Sequence, residues 1–260
     1  MVNSVILAGG LGTRLREETE FKPKPMVEIG GSPILWHIMK NLAGWDLKDF
    51  FICTGYKGEK IKEFFINYEA YSNDIEVSLG SGMSKVKHTS ASDENWNVHL
   101  IDTGQNTMTG GRLFQLRDKL QDEFFLCTYG DGLSNVNVKE LIAFHKSHNK
   151  VATVTAVHPT NRFGTLGISS DLKVSNFVEK PISGEYVNGG FFIFNKKVFN
   201  YLTEDAVLEQ EPLNNLVKDG ELMAFKHEKF WQPMDTYREV LELNALWESK
   251  DAPWVNWERQ

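Results

Sequence analysis

The sequence predicts an α/β fold in which a mostly parallel, mixed sheet is flanked by helices. In residues 1–145, short apolar runs alternate with stretches in which apolar residues recur at helical spacing. Such alternation calls for parallel strands joined by right-handed helical crossovers. After residue 145, the apolar runs are divided by turns more than by long helices. This half should therefore mix parallel and antiparallel pairs within one Rossmann-like domain of 260 residues.

The elements of the first half can be assigned in order. Residues 2–8 are apolar-rich and run into Gly9 and Gly10, a pattern typical of a buried strand that ends in a tight loop. Ser32 and Pro33 precede an apolar stripe, which predicts a helix with Ser32 as N-cap and Pro33 at N1. Further strands are expected at residues 50–54, 97–102 and 123–129, and further helices at 61–68 and 113–120.

The second half adds strands and a closing helix. Strands are expected at residues 151–157, 173–178 and 190–194, a helix from Arg238, and a Trp-rich tail at 251–260. Residues 80–95 are rich in Ser, Gly, Lys and Asp without periodicity and are a candidate lid. The single domain is accordingly divided into two halves, residues 1–145 and 146–237, and a C-terminal helix and tail (238–260).

The composition excludes several classes of protein. The formal net charge is -7 and no long run of Lys or Arg occurs, which argues against a nucleic-acid-binding surface. No apolar run approaches the roughly 20 residues that a membrane span needs, and no signal-peptide pattern opens the chain. Cys53 and Cys127 lie in apolar runs and are interpreted as small buried hydrophobic residues. We therefore expect a cytoplasmic protein.

A glycine-rich loop follows the first strand. Gly9, Gly10 and Gly12 leave backbone N–H groups open to a ligand, and Arg14 adds a permanently charged fork, so the segment suits phosphates. An ordinary glycine-rich turn would explain the same letters. The spacing fits neither G-x-G-x-x-G, because Leu15 stands where the last Gly or Ala belongs, nor the P-loop. A dehydrogenase or a P-loop kinase is disfavoured.

A second motif, Lys22-Pro-Lys-Pro25, follows closely. Each proline fixes its own φ and biases the preceding lysine toward extended backbone, so Lys24 should be held stiffly. A proline-rich connector with two solvated lysines is the structural alternative. Near a phosphate-binding loop, a positioned ammonium group is the functional one.

These motifs together resemble the signature of the sugar-nucleotide pyrophosphorylases. The strings are Leu7-Ala-Gly-Gly-Leu-Gly-Thr-Arg14, Lys22-Pro-Lys-Pro-Met26 and Gly30-Gly-Ser-Pro-Ile34. Longer strings extend the resemblance along nearly the whole chain, except residues 80–95, to the branch of that family that uses CTP: Trp36-His-Ile-Met39, Thr109-Gly-Gly-Arg112, Tyr129-Gly-Asp-Gly132, Asn188-Gly-Gly-Phe191 and Phe230-Trp-Gln-Pro-Met-Asp235. The resemblance implies a fold of the nucleotide-diphospho-sugar transferase type. It also implies that residues 1–145 form a nucleotide-binding half and residues 146–237 a sugar-phosphate-binding half.

The resemblance also implies catalytic roles for Arg14, Lys24, Asp131 and Asp235. Asp131 and Asp235 would together hold Mg²⁺, a hard cation that proteins bind through one or two carboxylates and substrate phosphates. Asp131 ends an apolar strand, where doubly wound folds place their ligands, although a plain Asp-Gly turn is the simpler explanation of that residue alone. Nothing in the sequence itself brings Asp235 near Asp131.

Two further sets of binding residues are implied by the resemblance. Those for the sugar phosphate are Lys24, Glu179, Lys180, Asn188, Gly189 and Gly190, the glycines leaving room for the sugar ring. Those for the nucleotide are Leu7, Ala8, Gly9, Gly10, Leu11, Gly12, Thr13, Arg14, Thr107, Gly111, Arg112 and Gly130. Arg112 could donate to cytosine O2 and N3, although it would suit other bases as well.

The implied reaction joins CTP and glucose 1-phosphate into CDP-glucose with release of pyrophosphate, supplying deoxysugars of surface polysaccharide. We also expect a homo-oligomer. Within the family, UTP, dTTP or GTP could replace CTP. Outside it, a non-catalytic binding subunit and a nicotinamide-dependent oxidoreductase are the alternatives, the first disfavoured by the joint presence of Arg14, Lys24, Asp131 and Asp235 and the second by the glycine spacing.

Overall fold

The structure of the chain, a computed structural model, describes residues 2–78, 85–88, 94–160, 165–178 and 184–257. The strands in chain order are β1 Ser4–Leu7, β2 Glu28–Ile29, β3 Ser32–Pro33, β4 Asp49–Thr54, β5 Ile75–Ser78, β6 Lys85–His88, β7 Asn97–Asp102, β8 Phe124–Tyr129, β9 Gly132–Ser134, β10 Ala152–Val157, β11 Thr165–Ile168, β12 Val174–Val178, β13 Val187–Asn195, β14 Leu222–His227 and β15 Trp231–Pro233. The α-helices are α1 Arg16–Thr19, α2 Ile34–Gly44, α3 Gly58–Ile66, α4 Tyr68–Ser72, α5 Thr109–Phe114, α6 Val138–His148, α7 Glu211–Lys218 and α8 Tyr237–Glu248.

A seven-stranded sheet with the order β14-β10-β13-β8-β1-β4-β7 forms the centre of the molecule. Strand β13 runs antiparallel to both of its neighbours, β10 and β8, whereas every other neighbouring pair in this sheet is parallel. The prediction of a mostly parallel, mixed α/β sheet is thus confirmed, as is the mixed pairing after residue 145.

The register of these strands sets one edge of the sheet as the place for ligands. Leu7 at the end of β1 pairs with Cys53 on one side and Tyr129 on the other, so three parallel strands end level. Because β13 runs the opposite way, its first residues lie at the edge where the parallel strands end. The loops after β1, β4, β7 and β8 and the beginning of β13 therefore meet there, as is usual in open α/β sheets.

Alternating side chains of the central strands fill two hydrophobic clusters, one on each face of the sheet. Ile6 belongs to the cluster that includes the buried residues of α2, whereas Val5 and Leu7 belong to the cluster that includes Leu113 of α5. Cys53 and Cys127 are buried free thiols, as expected. Burial raises the pKa of the Cys53 thiol to about 12, so this thiol stays protonated and acts as a small apolar side chain.

The C-terminal helix and tail pack back onto α2. Helix α8 begins with a capping box between Thr236 and Glu239, and Trp254 beyond its end is fully buried. The indole Nε1 of Trp254 donates to Nδ1 of His37 at 3.3 Å, while His37 Nε2 lies 2.8 Å from the Ile29 carbonyl oxygen. The α2 helix is thus tied to the tail on one side and to strand β2 on the other. Among the described helices, none is long and apolar enough to cross a bilayer.

Several expected elements differ in extent from the prediction. The helix expected at 61–68 divides into α3 and α4 with Asn67 between them, and the one expected at 113–120 ends as α5 at Phe114. Ser32 pairs in strand β3, so Pro33 and not Ser32 stands at the N-cap of α2. The candidate lid at 80–95 falls largely outside the described residues, but its 85–88 segment forms a hairpin with β5.

Candidate active site

The loop after β1 is a tight turn that leads into a single 3-10 turn at Thr13–Leu15. Gly12 has a φ of +63°, in the left-handed region that favours glycine. Its carbonyl oxygen accepts hydrogen bonds from the Leu15 amide at 3.0 Å and from Thr19 Oγ1 at 3.1 Å. The turn is therefore fixed from its inner side. A Cβ on Gly10 would meet no atom of the described residues within 4 Å, so this glycine faces open space.

This loop forms one wall of a cavity of about 560 Å³. Its lining comprises Leu7, Ala8, Gly9, Gly10, Leu11, Gly12, Thr13, Arg14, Lys24, Pro25, Gln105, Asn106, Thr107, Met108, Thr109, Arg112, Tyr129, Gly130, Asp131 and Asp235. Every residue predicted to bind the nucleotide is among them except Gly111. That glycine lies inside α5, where its amide donates to the Ala206 carbonyl at 3.0 Å and a Cβ would lie 2.0 Å from the Glu204 carbonyl oxygen.

A second cavity of about 260 Å³ adjoins the first. Its lining comprises Thr128, Tyr129, Asp131, Gly132, Asn188, Gly189, Phe191, Trp231, Pro233 and Asp235. Asn188 and Gly189, predicted to bind the sugar phosphate, lie here, whereas Gly190 does not line it. Tyr129, Asp131 and Asp235 line both cavities, so these residues mark the boundary between the two.

Lys24 bridges the two aspartates at that boundary. Its Nζ lies 2.6 Å from Asp131 Oδ2 and 2.6 Å from Asp235 Oδ1, and its side chain is only 10% exposed. Contrary to the prediction, Lys24 is not extended: it begins a 3-10 turn, Lys24–Met26, closed by a hydrogen bond from the Val27 amide to the Lys24 carbonyl. Stiffness comes from this turn and from the two ion pairs, with Pro23 in extended backbone at the N-cap.

The charges of this triad decide the protonation of the lysine. Burial by itself lowers the pKa of Lys24, but the charges of Asp131 and Asp235 and their hydrogen bonds outweigh it, so the pKa is raised from its usual value. The ammonium therefore stays charged at neutral pH. Two carboxylates converging on one cation are also what Mg²⁺ requires from a protein, and they fit the predicted metal pair. Within the described residues, no cluster of three or more candidate ligands occurs.

The approach of Asp235 to Asp131 results from the pairing of two short strands that form a separate two-stranded sheet. Strands β9 and β15 run antiparallel, with Pro233 opposite Gly132. The Met234 amide donates to the Asp131 carbonyl at 2.8 Å, which continues this ladder to the residues beside the two carboxylates. The register of β9 and β15 thereby places side chains more than a hundred positions apart on the same ammonium group.

Arg14 and Arg112 differ sharply in their surroundings. The Arg14 side chain is 74% exposed at the mouth of the larger cavity and lies 3.3 Å from Asp235 Oδ2. Arg112, in contrast, is 4% exposed, and its guanidinium is surrounded by oxygen atoms of the protein. Contact of Arg112 with a nucleobase stays a prediction.

Packing inside the protein requires the two glycines at the beginning of β13, Gly189 and Gly190. A Cβ on Gly190, whose φ is +86°, would lie 2.8 Å from the ring of Tyr129, and one on Gly189 would lie 2.7 Å from Cγ1 of Val157. Close packing therefore already demands glycine at both positions. The predicted contact of these residues with a sugar remains a prediction. Glu179 and Lys180, expected to bind the sugar phosphate, lie outside the described residues.

Sequence reasoning missed Thr109, Tyr129 and Glu209, which form hydrogen bonds between the two cavities. Glu209 accepts hydrogen bonds from the hydroxyl of Tyr129 and, at 2.7 Å, from Oγ1 of Thr109. Asn188 Nδ2 lies 3.4 Å from the Tyr129 hydroxyl oxygen and completes the chain. Tyr129 and Thr109 both stand inside strings that carry the resemblance, which was the only signal for them. Glu209 stands in no such string.

Comparisons with known proteins agree with this geometry. Residues 3–248 match the family model described as nucleotidyl transferase. The chain is 52% identical to glucose-1-phosphate cytidylyltransferase of Salmonella typhi over 260 residues, covering 99% of this chain and 100% of that protein. It is 43% identical to a probable glucose-1-phosphate cytidylyltransferase of Bacillus subtilis over 258 residues, covering 98% of this chain and 100% of the relative.

Solved structures give the same result at the level of the fold. The crystal structure of HddC from Yersinia pseudotuberculosis superimposes with a TM-score of 0.69 at 25% identity, covering 95% of this chain and 100% of that one. The expected fold type is thereby confirmed, and the oxidoreductase alternative is set aside. The chain belongs to the nucleotidyl transferase family, together with the glucose-1-phosphate cytidylyltransferases that it matches over its whole length.

Proposed function

We propose that this chain transfers a cytidylyl group from CTP to α-D-glucose 1-phosphate, giving CDP-glucose and pyrophosphate. One observation carries the proposal: two adjoining cavities meet at Lys24, Asp131 and Asp235. The larger is walled by the glycine-rich loop and suits a nucleoside triphosphate, and the smaller suits a sugar. The names of the relatives at 52% and 43% identity support CTP and glucose 1-phosphate as the pair.

The reaction needs positioning and charge more than proton transfer. A phosphate oxygen of glucose 1-phosphate attacks the α-phosphorus of CTP, and the bond from that phosphorus to the bridging oxygen breaks as pyrophosphate leaves. A phosphate monoester, with a second pKa of about 6, is already mostly ionised at neutral pH, so no general base is required. The protein therefore acts by holding the reacting groups in line and by neutralising the charge that moves to the leaving group.

The chain's own residues supply these functions. The amides of the glycine-rich loop and Arg14 would hold the β- and γ-phosphates, since both face the larger cavity. Lys24, at the boundary of the cavities, would orient the incoming phosphate as a fixed positive charge. Lys180 is proposed to share that role with Glu179 on the resemblance alone.

Asp131 and Asp235 would hold Mg²⁺, because the two carboxylates converge on one cation, the Lys24 ammonium. When bound, the ion supplies charge neutralisation to the substrate phosphates. Lys24 lies beside the same two carboxylates that would hold the ion.

A nucleotide-by-sugar panel tests the proposed function. Pyrophosphate release should be fastest with CTP and glucose 1-phosphate among combinations of CTP, UTP, dTTP and GTP with hexose 1-phosphates. The active-site variant Asp131→Asn serves as the blank. A faster rate with another nucleotide would move the chain to the alternative within the family, and no release with any pair would favour the non-catalytic alternative.

Further expectations remain proposals. A homo-oligomer is supported by the exposed apolar side chains of the β11–β12 hairpin. Leu166 pairs with Phe177 and Ile168 pairs with Val174 across the two strands, and all four residues are between 54% and 62% exposed. A second copy covering this face would shelter a hairpin that is marginal alone. Light scattering of the purified chain tests it, and a mass of 29.7 kDa would contradict it.

The division into halves at residues 145 and 237, a cytoplasmic location and a supply of CDP-glucose for surface polysaccharide are likewise proposed. The halves meet in the central sheet, where β8 from the first pairs with β13 from the second. Growth of a deletion strain and the composition of its surface polysaccharide would test the last of these.

A further inference from the structure

We infer that Arg112 is a positioning residue that sets the shape of the glycine-rich loop from beneath, and that it does not read the nucleobase. The inference rests on the proposed function, in which this loop binds the triphosphate. Its basis is the set of oxygen atoms around one buried guanidinium group.

Arg112 connects the ends of three neighbouring parallel strands. Its Nη1 and Nη2 atoms donate to oxygen atoms in the last residue of β4 and in the loops that follow β1 and β7. These acceptors are the carbonyl oxygens of Gly9 at 2.9 Å, Thr54 at 3.0 Å, Gly104 at 2.8 Å and Gln105 at 3.3 Å, and Oγ1 of Thr103 at 2.7 Å. The two Nη atoms carry four N–H groups for five acceptors, so contact with a base through them would require existing bonds to break.

Two glycines leave the space that the guanidinium fills. A Cβ on Gly9 would lie 2.2 Å from Cζ of Arg112, and one on Gly55 would lie 2.5 Å from its Nη1. Backbone φ does not require glycine at either position, since neither has a positive φ. The first glycine of the loop is thus explained by the arginine below it and not by a phosphate above it.

Because the peptide group is planar, the hydrogen bond from Arg112 to the Gly9 carbonyl also fixes the direction of the Gly10 N–H. The C=O of Gly9 and the N–H of Gly10 belong to one trans peptide and point in opposite directions. Arg112 is buried and binds the Gly9 oxygen on the inner side, so the Gly10 N–H points to the outer side, where Gly10 lines the larger cavity. Arg112 therefore aims a donor at the position expected for the triphosphate.

A second hydrogen bond to the Gly9 carbonyl means that the orientation of this peptide does not depend on Arg112 alone. The Tyr56 amide also donates to the Gly9 oxygen, at 3.3 Å. Removal of Arg112 would leave this one longer bond, and the Gly9–Gly10 peptide could then turn. We expect a loss of phosphate binding without collapse of the loop.

Inorganic tripolyphosphate, which has no base, separates the two roles. Its affinity for the wild-type chain and for Arg112→Lys is measured by titration calorimetry without nucleotide or sugar. Lysine keeps the charge but cannot span the acceptors, so affinity should fall about tenfold, roughly 1.4 kcal/mol. In turnover assays, kcat/KM should fall by a similar factor for CTP, UTP and GTP, while the KM for glucose 1-phosphate stays within about twofold.

A second variant protects the test against misfolding. Thr103→Val removes one acceptor of Arg112 at a buried residue that does not line the cavity, and should weaken tripolyphosphate binding by about threefold, roughly 0.6 kcal/mol. Arg117→Lys, at an exposed arginine, is the matched control and should bind like the wild type.

Unchanged tripolyphosphate affinity in Arg112→Lys, with an altered preference among nucleotides, would overturn the inference in favour of base reading. Absence of tripolyphosphate binding to the wild type would overturn it too. Because calorimetry needs no turnover, a chain that failed to make CDP-glucose but showed the expected affinities would refute the proposed function alone.

Discussion

At the scale of single residues, the Lys24 ammonium decides how close Asp131 and Asp235 can come. Two carboxylates in one site repel and raise each other's pKa unless a cation lies between them. Lys24 supplies that cation at 2.6 Å from each. The same ammonium lies where the proposed reaction brings a negatively charged nucleophile, so one side chain serves both the stability of the site and its chemistry.

Removal of this charge should slow turnover more than it weakens binding. We expect Lys24→Ala to lose at least about tenfold in kcat, equivalent to about 1.4 kcal/mol of transition-state stabilisation. Steady-state rates with saturating CTP and glucose 1-phosphate measure it. Lys22→Ala, at the neighbouring lysine of the same motif, whose partner is the exposed Glu28, is the control. A near-wild-type rate in Lys24→Ala would remove this residue from the mechanism.

Asp131 gives a prediction about the metal. Asp131→Asn keeps the size of the side chain but removes one of the two charges that a divalent ion would use. Activity that depends on Mg²⁺ should be abolished, as judged by rates across a titration of Mg²⁺ and after chelation with EDTA. Asp118→Asn, with an 86% exposed carboxylate, should behave as the wild type. If Asp131→Asn kept both its activity and its response to Mg²⁺, the metal site would have to be elsewhere.

At the scale of elements, local pattern predicted six of the seven strands of the central sheet, because burial on both faces leaves a continuous apolar signal. It missed β14, which is only partly buried. The runs before Gly9 and Gly130 became β1 and β8, and their ends carry the site. The Pro-flanked Lys24 was expected to be extended, whereas hydrogen bonding across Pro23–Val27 makes a 3-10 turn. Backbone bias of one residue is a weak preference that a turn with two hydrogen bonds overrides.

What the sequence could not predict are contacts between distant elements. The short strand β15 has three residues and no distinctive periodicity, yet its register with β9 brings Asp235 to Asp131. The acceptors of Arg112 are mostly backbone carbonyl oxygens, which any residue supplies, so no side-chain pattern announces them. The resemblance to the family named Asp235 and Arg112 as site residues, but it gave Arg112 a nucleobase as partner and not these oxygen atoms.

A buried histidine of helix α6, His145, makes stability depend on pH. Nδ1 of His145 and Nε2 of His148 both lie within hydrogen-bonding distance of Thr153 Oγ1, at 2.9 Å and 2.8 Å. Burial, followed by the charge of His148, lowers the pKa of His145 from 6.5 to about 4. The unfolded chain then binds more protons than the folded chain between these values, so stability falls as pH falls through this window and the loss is complete below the folded pKa.

We therefore expect His145→Gln to flatten the stability profile in that window. Urea unfolding at pH 7 and near pH 4 should show the wild-type chain losing about 3 kcal/mol more than the variant. The variant's near-UV spectrum at pH 7 checks that packing is retained. Equal losses in both proteins would mean that His145 already titrates normally in the folded state.

At the scale of the whole molecule, the two cavities are joined by a chain of hydrogen bonds that draws on both halves. Thr109 and Tyr129 donate to Glu209, and Asn188 donates to the Tyr129 hydroxyl. Burial first, and then the charge of Glu209, raises the pKa of Tyr129 far above its usual value, so its hydroxyl remains a donor. A side chain on the nucleotide side is thereby tied to one on the sugar side.

These hydrogen bonds predict that a substitution in the larger cavity changes the binding of substrate in the smaller one. Thr109→Val, in the larger cavity, should raise the KM for glucose 1-phosphate by about threefold, roughly 0.6 kcal/mol, because Glu209 loses a donor and holds Tyr129 less firmly. The same factor is expected for Glu209→Gln, and the double variant should be no worse than either single one, since residues in one network are not additive. Glu211→Gln, two residues along on the exposed start of α7, is the control. Additive effects, or a change confined to the KM for CTP, would show that the two cavities act independently.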